Sequence, residues 1–114
     1  MPWKRQGIFI ATIMYYIYIL YSISSNKYYI GYTANYQRRL LEHNTSERIT
    51  YTSRYRPWML KAVFECSNQE AEAGRIEKFI KSQKSLKLIE QLCNPDFIPS
   101  ERLAQLVRVP HVRD

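Results

Sequence analysis

Cysteine is scarce in this sequence of 114 residues, which contains only Cys66 and Cys93. The two stand far apart, without a Cys-x-x-Cys pair or a nearby cluster of cysteine and histidine, and this excludes a structural zinc site. Both fall in apolar surroundings, so we expect two small buried side chains in a reducing compartment. The predicted location is therefore cytoplasmic.

Charge is absent between Gln6 and Asn26, a stretch long enough to cross a membrane, since a span needs about 20 residues. The stretch is rich in tyrosine and serine, however, and no small-residue cleavage site follows a compact apolar core. Its composition is more typical of a strand that is covered on both faces. We therefore expect no membrane partner, with a basic membrane-associated protein as an alternative, and we expect residues 1–13 to be a leader that the domain does not require.

Internal repeats, low-complexity segments and a second recognisable domain are also absent. The length suits one compact domain and is too short for two. Hydrophobic residues make up 46% of the chain and charged residues 24%, a composition typical of globular proteins. The net charge of +7 favours a polyanionic partner, either nucleic acid or an anionic membrane surface. No obligate protein partner is evident.

The pattern of apolar residues predicts three strands and three helices. Turn-forming residues between the first two strands indicate a β-hairpin. The third strand is expected to turn Leu60, Ala62 and Phe64 to one face. The predicted strands cover residues 15–22, 27–32 and 59–66, and the predicted helices cover residues 35–42, 67–83 and 85–93.

Helix ends and connections follow from local signals. The second helix is expected to begin with a capping box formed by Ser67 and Glu70. Residues 45–57 are polar and basic, and we expect them to form a mobile loop. Residues 94–114 are expected to be an extension that packs on the domain, with one turn of helix that begins at Ser100 and carries Leu103, Leu106 and Val107.

All ten tyrosines lie between Tyr15 and Tyr55, and most of them precede Arg39 and His43. Arg39 and His43 stand four residues apart, so on a helix they share a face. This pattern suggests phosphate chemistry, because a guanidinium group offsets charge on a phosphate and a phenol positions or deprotonates water. The alternatives are an ordinary surface arginine and a histidine favoured by the dipole at a helix C-terminus.

Tyr18 and Tyr29 belong to the two strands of the hairpin, where tyrosine is common for packing reasons alone. A free phenol has a pKa of about 10. Tyr18 therefore acts as a base only beside a positive charge, or if His43 takes the proton onward. His43 suits that role because imidazole titrates near neutrality.

Glu77 is the only acidic residue between positions 73 and 83. A carboxylate there suits a Mg²⁺ ion that is bound through one oxygen, with waters and phosphate oxygens as its other ligands. The alternative is an i,i+4 ion pair with Lys81. Basic residues recur at every third position from Arg75 to Lys87, and this basic ridge suits a phosphate backbone, unless it is simply a solvated face.

Two triplets, Tyr16-Ile17-Tyr18 and Tyr29-Ile30-Gly31, are followed by the helical runs 31–44 and 75–81. In this order they resemble the triplets and the two motif-bearing helices of the GIY-YIG nuclease superfamily, in particular its small bacterial single-domain members. The second triplet matches letter for letter, whereas the first has tyrosine in place of glycine. The resemblance covers residues 14–93, and the tail beyond it is similar to an extension found in part of this group.

The resemblance implies an α+β fold, with a three-stranded antiparallel sheet flanked by helices. We expect the first strand to be central, since apolar and aromatic side chains on both of its faces need cover. The resemblance also implies a DNA endonuclease that uses one divalent ion, Mg²⁺ or Mn²⁺, and acts in repair, recombination or defence. The implied catalytic residues are Tyr18, Tyr29, Arg39, His43 and Glu77, with Glu77 as the metal ligand.

Contacts to DNA are expected from basic residues of the first helix, the segment after it and the basic ridge. An alternative is a nucleic-acid-binding module that has the nuclease scaffold but little turnover. Tyr16 in the first triplet and the tail after Asn94 favour this alternative. The expected DNA-binding residues are Arg38, Arg54, Arg56, Lys78, Lys81, Lys84 and Lys87.

Overall fold

The computed structural model describes residues 12–110 of the chain. The proposed leader at 1–13 therefore lies almost entirely outside the described residues. Four strands, three α-helices and two short 3₁₀ helices follow one another within the described range. In chain order they are β1 (Tyr15–Ser22), β2 (Lys27–Thr33), α1 (Tyr36–Thr45), a 3₁₀ helix (Thr52–Tyr55), β3 (Met59–Ser67), α2 (Glu70–Ser82), α3 (Leu86–Cys93), a second 3₁₀ helix (Glu101–Leu103) and β4 (Val107–Arg108).

The strands form one antiparallel sheet in the order β2-β1-β3-β4. The predicted α+β class is confirmed, and β1 lies inside the sheet between β2 and β3 as expected. The predicted number of strands is wrong, because the sheet has four strands and not three.

The additional strand, β4, comes from the tail. The turn of helix expected after Ser100 is present as the 3₁₀ helix Glu101–Leu103, but Val107 lies beyond it. Instead Val107 pairs with Glu65 and Arg108 pairs with Phe64 along the outer edge of β3. The Arg108 side chain donates from Nη2 to the carbonyl oxygen of Asn94 at 2.8 Å, which ties the tail to the end of α3. A strand of two residues has no alternation to detect, so only its tertiary pairing defines it.

Both faces of the sheet are covered, which explains why β1 lacks the polar alternation of a half-exposed strand. Ile17 and Ile19 of β1 pack against α2, α3 and the tail, where Leu103 and Leu106 are buried. Side chains on the other face pack against α1 and the segment around the first 3₁₀ helix. That second cluster has Tyr18, Leu20, Trp58 and Val63 as its buried members.

A β-bulge changes the face of the sheet to which the first side chains of β3 point. The pairing register between β1 and β3 shifts where Ile19 faces Ala62 and Leu20 faces Leu60. The extra residue rotates the start of the strand, so Leu60 packs in the second cluster while Ala62 and Phe64 pack in the first. The prediction that all three share a face is therefore wrong for Leu60.

The predicted capping box at the start of α2 is also wrong. Ser67 is still part of β3, where it pairs with Tyr15. Its hydroxyl accepts a hydrogen bond from the backbone N–H of Gln69 at 3.0 Å, and Gln69 itself occupies the N-cap position of α2. The strand thus continues one residue further than expected and leaves Ser67 outside the helix.

The other two helices begin at side-chain caps. Asn35 accepts a hydrogen bond from the backbone N–H of Arg38 at 3.0 Å, and Ser85 accepts one from Leu88 at 3.0 Å. Helix α1 continues to Thr45, three residues beyond the expected end at Glu42.

Residues 45–57, which were expected to form a mobile loop, have defined secondary structure and hydrogen bonds. They contain the first 3₁₀ helix, in which Thr52 is buried and its carbonyl oxygen accepts a hydrogen bond from Trp58 Nε1 at 2.7 Å. Arg56 donates to the carbonyl oxygens of His43 and Ser46 at 2.6 and 2.7 Å. These bonds fix the segment against the C-terminal end of α1.

Helices of membrane-spanning length and apolarity are absent from residues 12–110. The uncharged stretch that raised the question of an anchor supplies β1, which is hydrogen-bonded on both sides within the sheet.

Gly74 in α2 offers a test of the packing. A Cβ atom at this position would meet Tyr32 Cε2 at 3.7 Å, an ordinary van der Waals contact. We therefore expect Gly74→Ala to raise the free energy of unfolding by up to about 1 kcal/mol, the usual gain in helix propensity. Urea unfolding monitored by circular dichroism measures this change.

Gly31 is the matched control for the Gly74 variant. A Cβ atom there would lie 2.6 Å from Tyr18 Cζ, so Gly31→Ala should destabilise the protein. Loss of stability in Gly74→Ala would contradict the described packing of α2 on Tyr32.

Candidate active site

Tyr18 lies on the central strand and is nearly inaccessible, with 2% of its surface exposed. Its partner across the β1–β2 ladder is Gly31, and the Tyr18 ring passes directly over this residue. Any side chain at position 31 would collide with the phenol, because even a Cβ atom would approach within 2.6 Å of Tyr18 Cζ. The glycine of the second triplet is therefore needed to accommodate the tyrosine of the first.

His43 on α1 forms a buried hydrogen bond with the Tyr18 hydroxyl, with 2.9 Å between the phenolic oxygen and Nε2. Its other ring nitrogen, Nδ1, lies 2.8 Å from the hydroxyl oxygen of Thr52. Thr52 is buried and is also 3.3 Å from the Thr50 hydroxyl. The imidazole is thus held from both sides, by the central strand and by the first 3₁₀ helix.

The pKa values of Tyr18 and His43 are shifted in opposite directions. Burial raises the pKa of Tyr18 to about 12, with a further contribution from Tyr29, against the lowering effect of Arg39. Burial and the positive charge of Arg39 lower the pKa of His43 to about 4. At neutral pH the phenol is therefore protonated and the imidazole is neutral.

The groups around Tyr18 and His43 indicate where the phenolic proton and the imidazole proton lie. The positive charge of Arg39 acts on the phenolic oxygen of Tyr18 and opposes the rise in its pKa, and a guanidinium group has only donors to offer, so the lone pairs of that oxygen face Arg39 more favourably than its proton does. We therefore assign the phenolic proton to the bond with Nε2 of His43. Nδ1 then carries the imidazole proton and donates it to Thr52.

Arg39 is oriented by Glu42 on its own helix. Its Nη1 donates to Glu42 Oε1 at 2.6 Å, and about a third of the side chain (36%) remains exposed. The guanidinium group is therefore held by Glu42 and is partly open to a ligand.

Arg39 and His43 open onto a cleft of about 440 Å³ between α1 and the segment that follows it. The cleft carries two arginines against one carboxylate, so it suits an anion. Its lining residues are Tyr29, Arg39, Glu42, His43, Ser46, Arg48, Thr50, Tyr51 and Thr52.

Tyr29 joins the cleft to helix α2. Its ring centroid lies 4.9 Å from that of His43 and 6.3 Å from that of Tyr18. The ammonium group of Lys81 lies 5.6 Å from the centre of the Tyr29 ring, and 3.6 Å from Glu77 Oε2. The predicted residues Tyr18, Tyr29, Arg39 and His43 thus form one contacting group, and Glu77 connects to it through Lys81.

Glu77 also acts on the site through its charge. Its side chain is 18% exposed, and its negative charge contributes to the raised pKa of Tyr18. It borders a second cleft of about 580 Å³ beside Tyr32 and Gly74. The ion pair between Glu77 and Lys81, considered above as the alternative to a metal ligand, is present.

Within residues 12–110, groups of three or more His, Cys, Asp or Glu arranged to hold a metal ion are absent. The donor set fits Mg²⁺ in its usual mode, in which one carboxylate binds the ion and waters and substrate phosphates complete the octahedron. Glu77 is the residue that fits this role, by its partial exposure and by the effect of its charge on Tyr18.

The predicted DNA-binding residues occupy different environments. Arg54 is exposed on the 3₁₀ helix, and Arg38 is 65% exposed beside Glu42. Arg56 is the exception, because its guanidinium group binds two backbone carbonyls at the end of α1. The ridge residues Lys78, Lys81, Lys84 and Lys87 are all exposed on α2, α3 and the turn between them.

Sequence reasoning missed three contributors to this geometry. Gly31 was recognised as part of a triplet but not as the space for the Tyr18 ring. Thr52 lies in a polar segment without periodicity, so no local pattern marks it as the partner of His43. Lys81 was predicted as a DNA contact and as the i,i+4 partner of Glu77, but its position beside the Tyr29 ring was not predicted.

Comparison with known proteins adds independent findings. Residues 14–89 match the family model described as the GIY-YIG catalytic domain. A UPF0213 protein of Staphylococcus haemolyticus is 36% identical over 80 residues, which cover 68% of this chain and 95% of that protein. A UPF0213 protein of Halobacterium salinarum is 37% identical over 68 residues, covering 60% of this chain and 86% of its own length. The names of these relatives state no activity.

His43 predicts a specific dependence of stability on pH. Its pKa is about 4 in the folded protein and 6.5 in the unfolded chain, so the unfolded chain binds the proton first as pH falls. The stabilisation is complete well above pH 6.5 and is lost progressively toward pH 4, by on the order of 3 kcal/mol. Urea unfolding across this range measures the slope.

His43→Gln is the control for this pH dependence, because glutamine retains hydrogen-bonding groups but does not titrate. The variant should be less stable at neutral pH and show a shallower loss between pH 6.5 and 4. Equal slopes in the two proteins would show that His43 is not buried in its neutral form.

Proposed function

Because this chain belongs to the GIY-YIG catalytic domain family, a family of nucleases that act on DNA, we propose that it is a divalent-metal-dependent endonuclease that hydrolyses DNA phosphodiester bonds. The observation that carries the proposal is the buried hydrogen bond between Tyr18 and His43, beside a partly open Arg39 in a basic cleft. Cys66 and Cys93 are both buried, which agrees with the proposed cytoplasmic location.

Arg39 has the role of binding the scissile phosphate. Its outer side is open to the cleft, and its planar group matches the oxygens of a phosphate with two parallel hydrogen bonds. Charge that accumulates on these oxygens in the transition state is offset by the guanidinium group, which is already oriented by Glu42 and needs little reorganisation.

Tyr18 and His43 have the role of moving the proton. A water molecule attacks phosphorus and gives its proton to the Tyr18 oxygen, while the phenolic proton passes to Nε2 of His43. The P–O bond to the leaving oxygen then breaks, that oxygen takes up a proton from solvent, and His43 returns its extra proton to solvent. This relay uses the phenol without a free phenolate, which matters because the Tyr18 pKa is about 12.

Substrate binding favours the relay. In the free protein the charge of Arg39 contributes to the low pKa of His43. A phosphate on Arg39 offsets this charge, so His43 becomes a better proton acceptor when DNA is present. A divalent ion at Glu77, when bound, would supply further positive charge for the phosphate and the leaving oxygen.

The alternative is a nucleic-acid-binding module with little turnover. The pKa values of Tyr18 and His43 are the observation in its favour, since neither group is a ready base in the free protein at neutral pH. Crowding by Tyr16 does not support it, because the Tyr16 ring packs edge-on against Tyr36 at 5.2 Å and is not among the residues that line the cleft.

Single-turnover cleavage of labelled duplex, flapped and branched DNA tests the proposal. We expect cleavage with Mg²⁺ or Mn²⁺ and none with EDTA. Arg39→Lys and Arg39→Ala should both lose about 10²–10³ in rate, because an ammonium group cannot form the bidentate contact. Glu77→Gln should require a higher metal concentration.

Variants of the basic ridge are the matched controls. Lys84→Ala and Lys87→Ala should bind DNA more weakly and with a shallower salt dependence, yet cleave at nearly normal rate when saturated. Absence of cleavage by the wild-type protein, or near-normal rate in Arg39→Lys, would contradict the proposed enzyme. Salt-sensitive binding with every substrate intact would favour the binding module.

A further inference from the structure

We propose that Tyr51 forms a stacking site for an unpaired nucleobase, at the rim of the cleft that holds Arg39. The inference rests on the proposed action on DNA and names a substrate class for it, namely DNA with a single-stranded segment beside the scissile phosphate. Nothing in the relay between Tyr18 and His43 requires Tyr51, so its position is otherwise unexplained.

Tyr51 combines exposure with rigid support. It immediately precedes the first 3₁₀ helix and is 51% exposed, although it lines the cleft. Its ring is stacked on Tyr29, with centroids 6.4 Å apart and planes inclined by 27°. Tyr55 supports it from the side at 5.0 Å. The ring is thus held in one orientation while half of its surface is left for a ligand.

The Tyr29 ring, which supports Tyr51, also connects it to the proposed catalytic residue His43. Tyr29 contacts both Tyr51 and His43, with ring centroids 6.4 and 4.9 Å away. An aromatic series therefore leads from the buried imidazole to the solvent. Arg39 and Arg48 line the same cleft, so a nucleotide with its base on Tyr51 has positive charge near its phosphates.

Lysines flank the aromatic platform at both ends. The ammonium group of Lys27 lies 5.2 Å from the centre of the Tyr55 ring, and that of Lys81 lies 5.6 Å from the centre of the Tyr29 ring. Aromatic rings between cationic side chains are the usual composition of sites for single-stranded nucleic acid, where bases stack and the backbone lies along positive charge.

The chemistry selects unpaired bases over paired ones. In a duplex both faces of each base are covered by neighbouring bases, so a side chain stacks only on a base that has left the helix or was never paired. The hydroxyl of Tyr51 is not needed for this contact. The site therefore takes any of the four bases, at a gap, a flap or a splayed end, and distinguishes DNA structure rather than sequence.

Binding in EDTA tests the site apart from cleavage. The probes are a continuous duplex and the same duplex with a short single-stranded gap that carries one 2-aminopurine. We expect the wild-type protein to change the 2-aminopurine fluorescence at one or two unpaired positions. Tyr51→Ala should bind gapped DNA about 5- to 150-fold more weakly, with duplex affinity nearly unchanged. Tyr51→Phe should behave as wild type.

Tyr21→Ala is the matched control, because Tyr21 packs on Tyr28 at 4.8 Å and does not line the cleft. It should retain the preference for gapped DNA. Unchanged fluorescence at every unpaired position with the wild-type protein would overturn the site, whether or not the variants fold. So would equal losses by Tyr51→Ala on gapped and continuous DNA, which would indicate a backbone contact.

The outcome is separable from that of the proposed enzyme. If the wild-type protein stacks on 2-aminopurine but never cleaves, the stacking site stands and the nuclease proposal fails. If cleavage proceeds while Tyr51→Ala retains full preference for gapped DNA, the nuclease proposal stands and the stacking site fails.

Discussion

The hydrogen bond between the Tyr18 hydroxyl and Nε2 of His43 depends on three separate parts of the chain. The central strand carries the phenol, Gly31 on the neighbouring strand leaves room for its ring, and α1 presents the imidazole. Thr52 then holds the imidazole from the far side. Tyr18, Gly31, His43 and Thr52 are all buried. Their geometry is therefore set by folding and not by the binding of a ligand.

This arrangement explains why the pair differs from free tyrosine and histidine. Burial disfavours charge on either group, so it raises one pKa and lowers the other, and the neutral pair is the stable form. Arg39 adds to the effect on His43 while remaining partly exposed. A bound phosphate would act on this one arginine and thereby on the protonation of the pair, which couples substrate binding to proton transfer.

Much of the fold follows from local patterns, and the exceptions have tertiary causes. Aromatic and β-branched runs indicated β1 and β2, and Asn35 and Ser85 marked two helix starts. The two-residue strand β4 and the bulge that turns Leu60 away from Ala62 depend on pairing with distant segments, which no local pattern records. The candidate site shows the same division. The spacing of Arg39 and His43 was visible on one helix, whereas the Thr52 contact arises only when residues 45–57 fold back on α1.

Measuring the protonation state of His43 is the most direct test of the proposed proton transfer from Tyr18. In ¹⁵N NMR of the imidazole nitrogens, with His43→Gln to assign the signal, we expect a neutral ring with its proton on Nδ1 from about pH 5 to pH 8. The titration midpoint should be about 4. A midpoint at 6.5 would contradict the burial of His43 in its neutral form, and a proton on Nε2 at neutral pH would contradict the relay, because Nε2 could not then accept the proton of Tyr18.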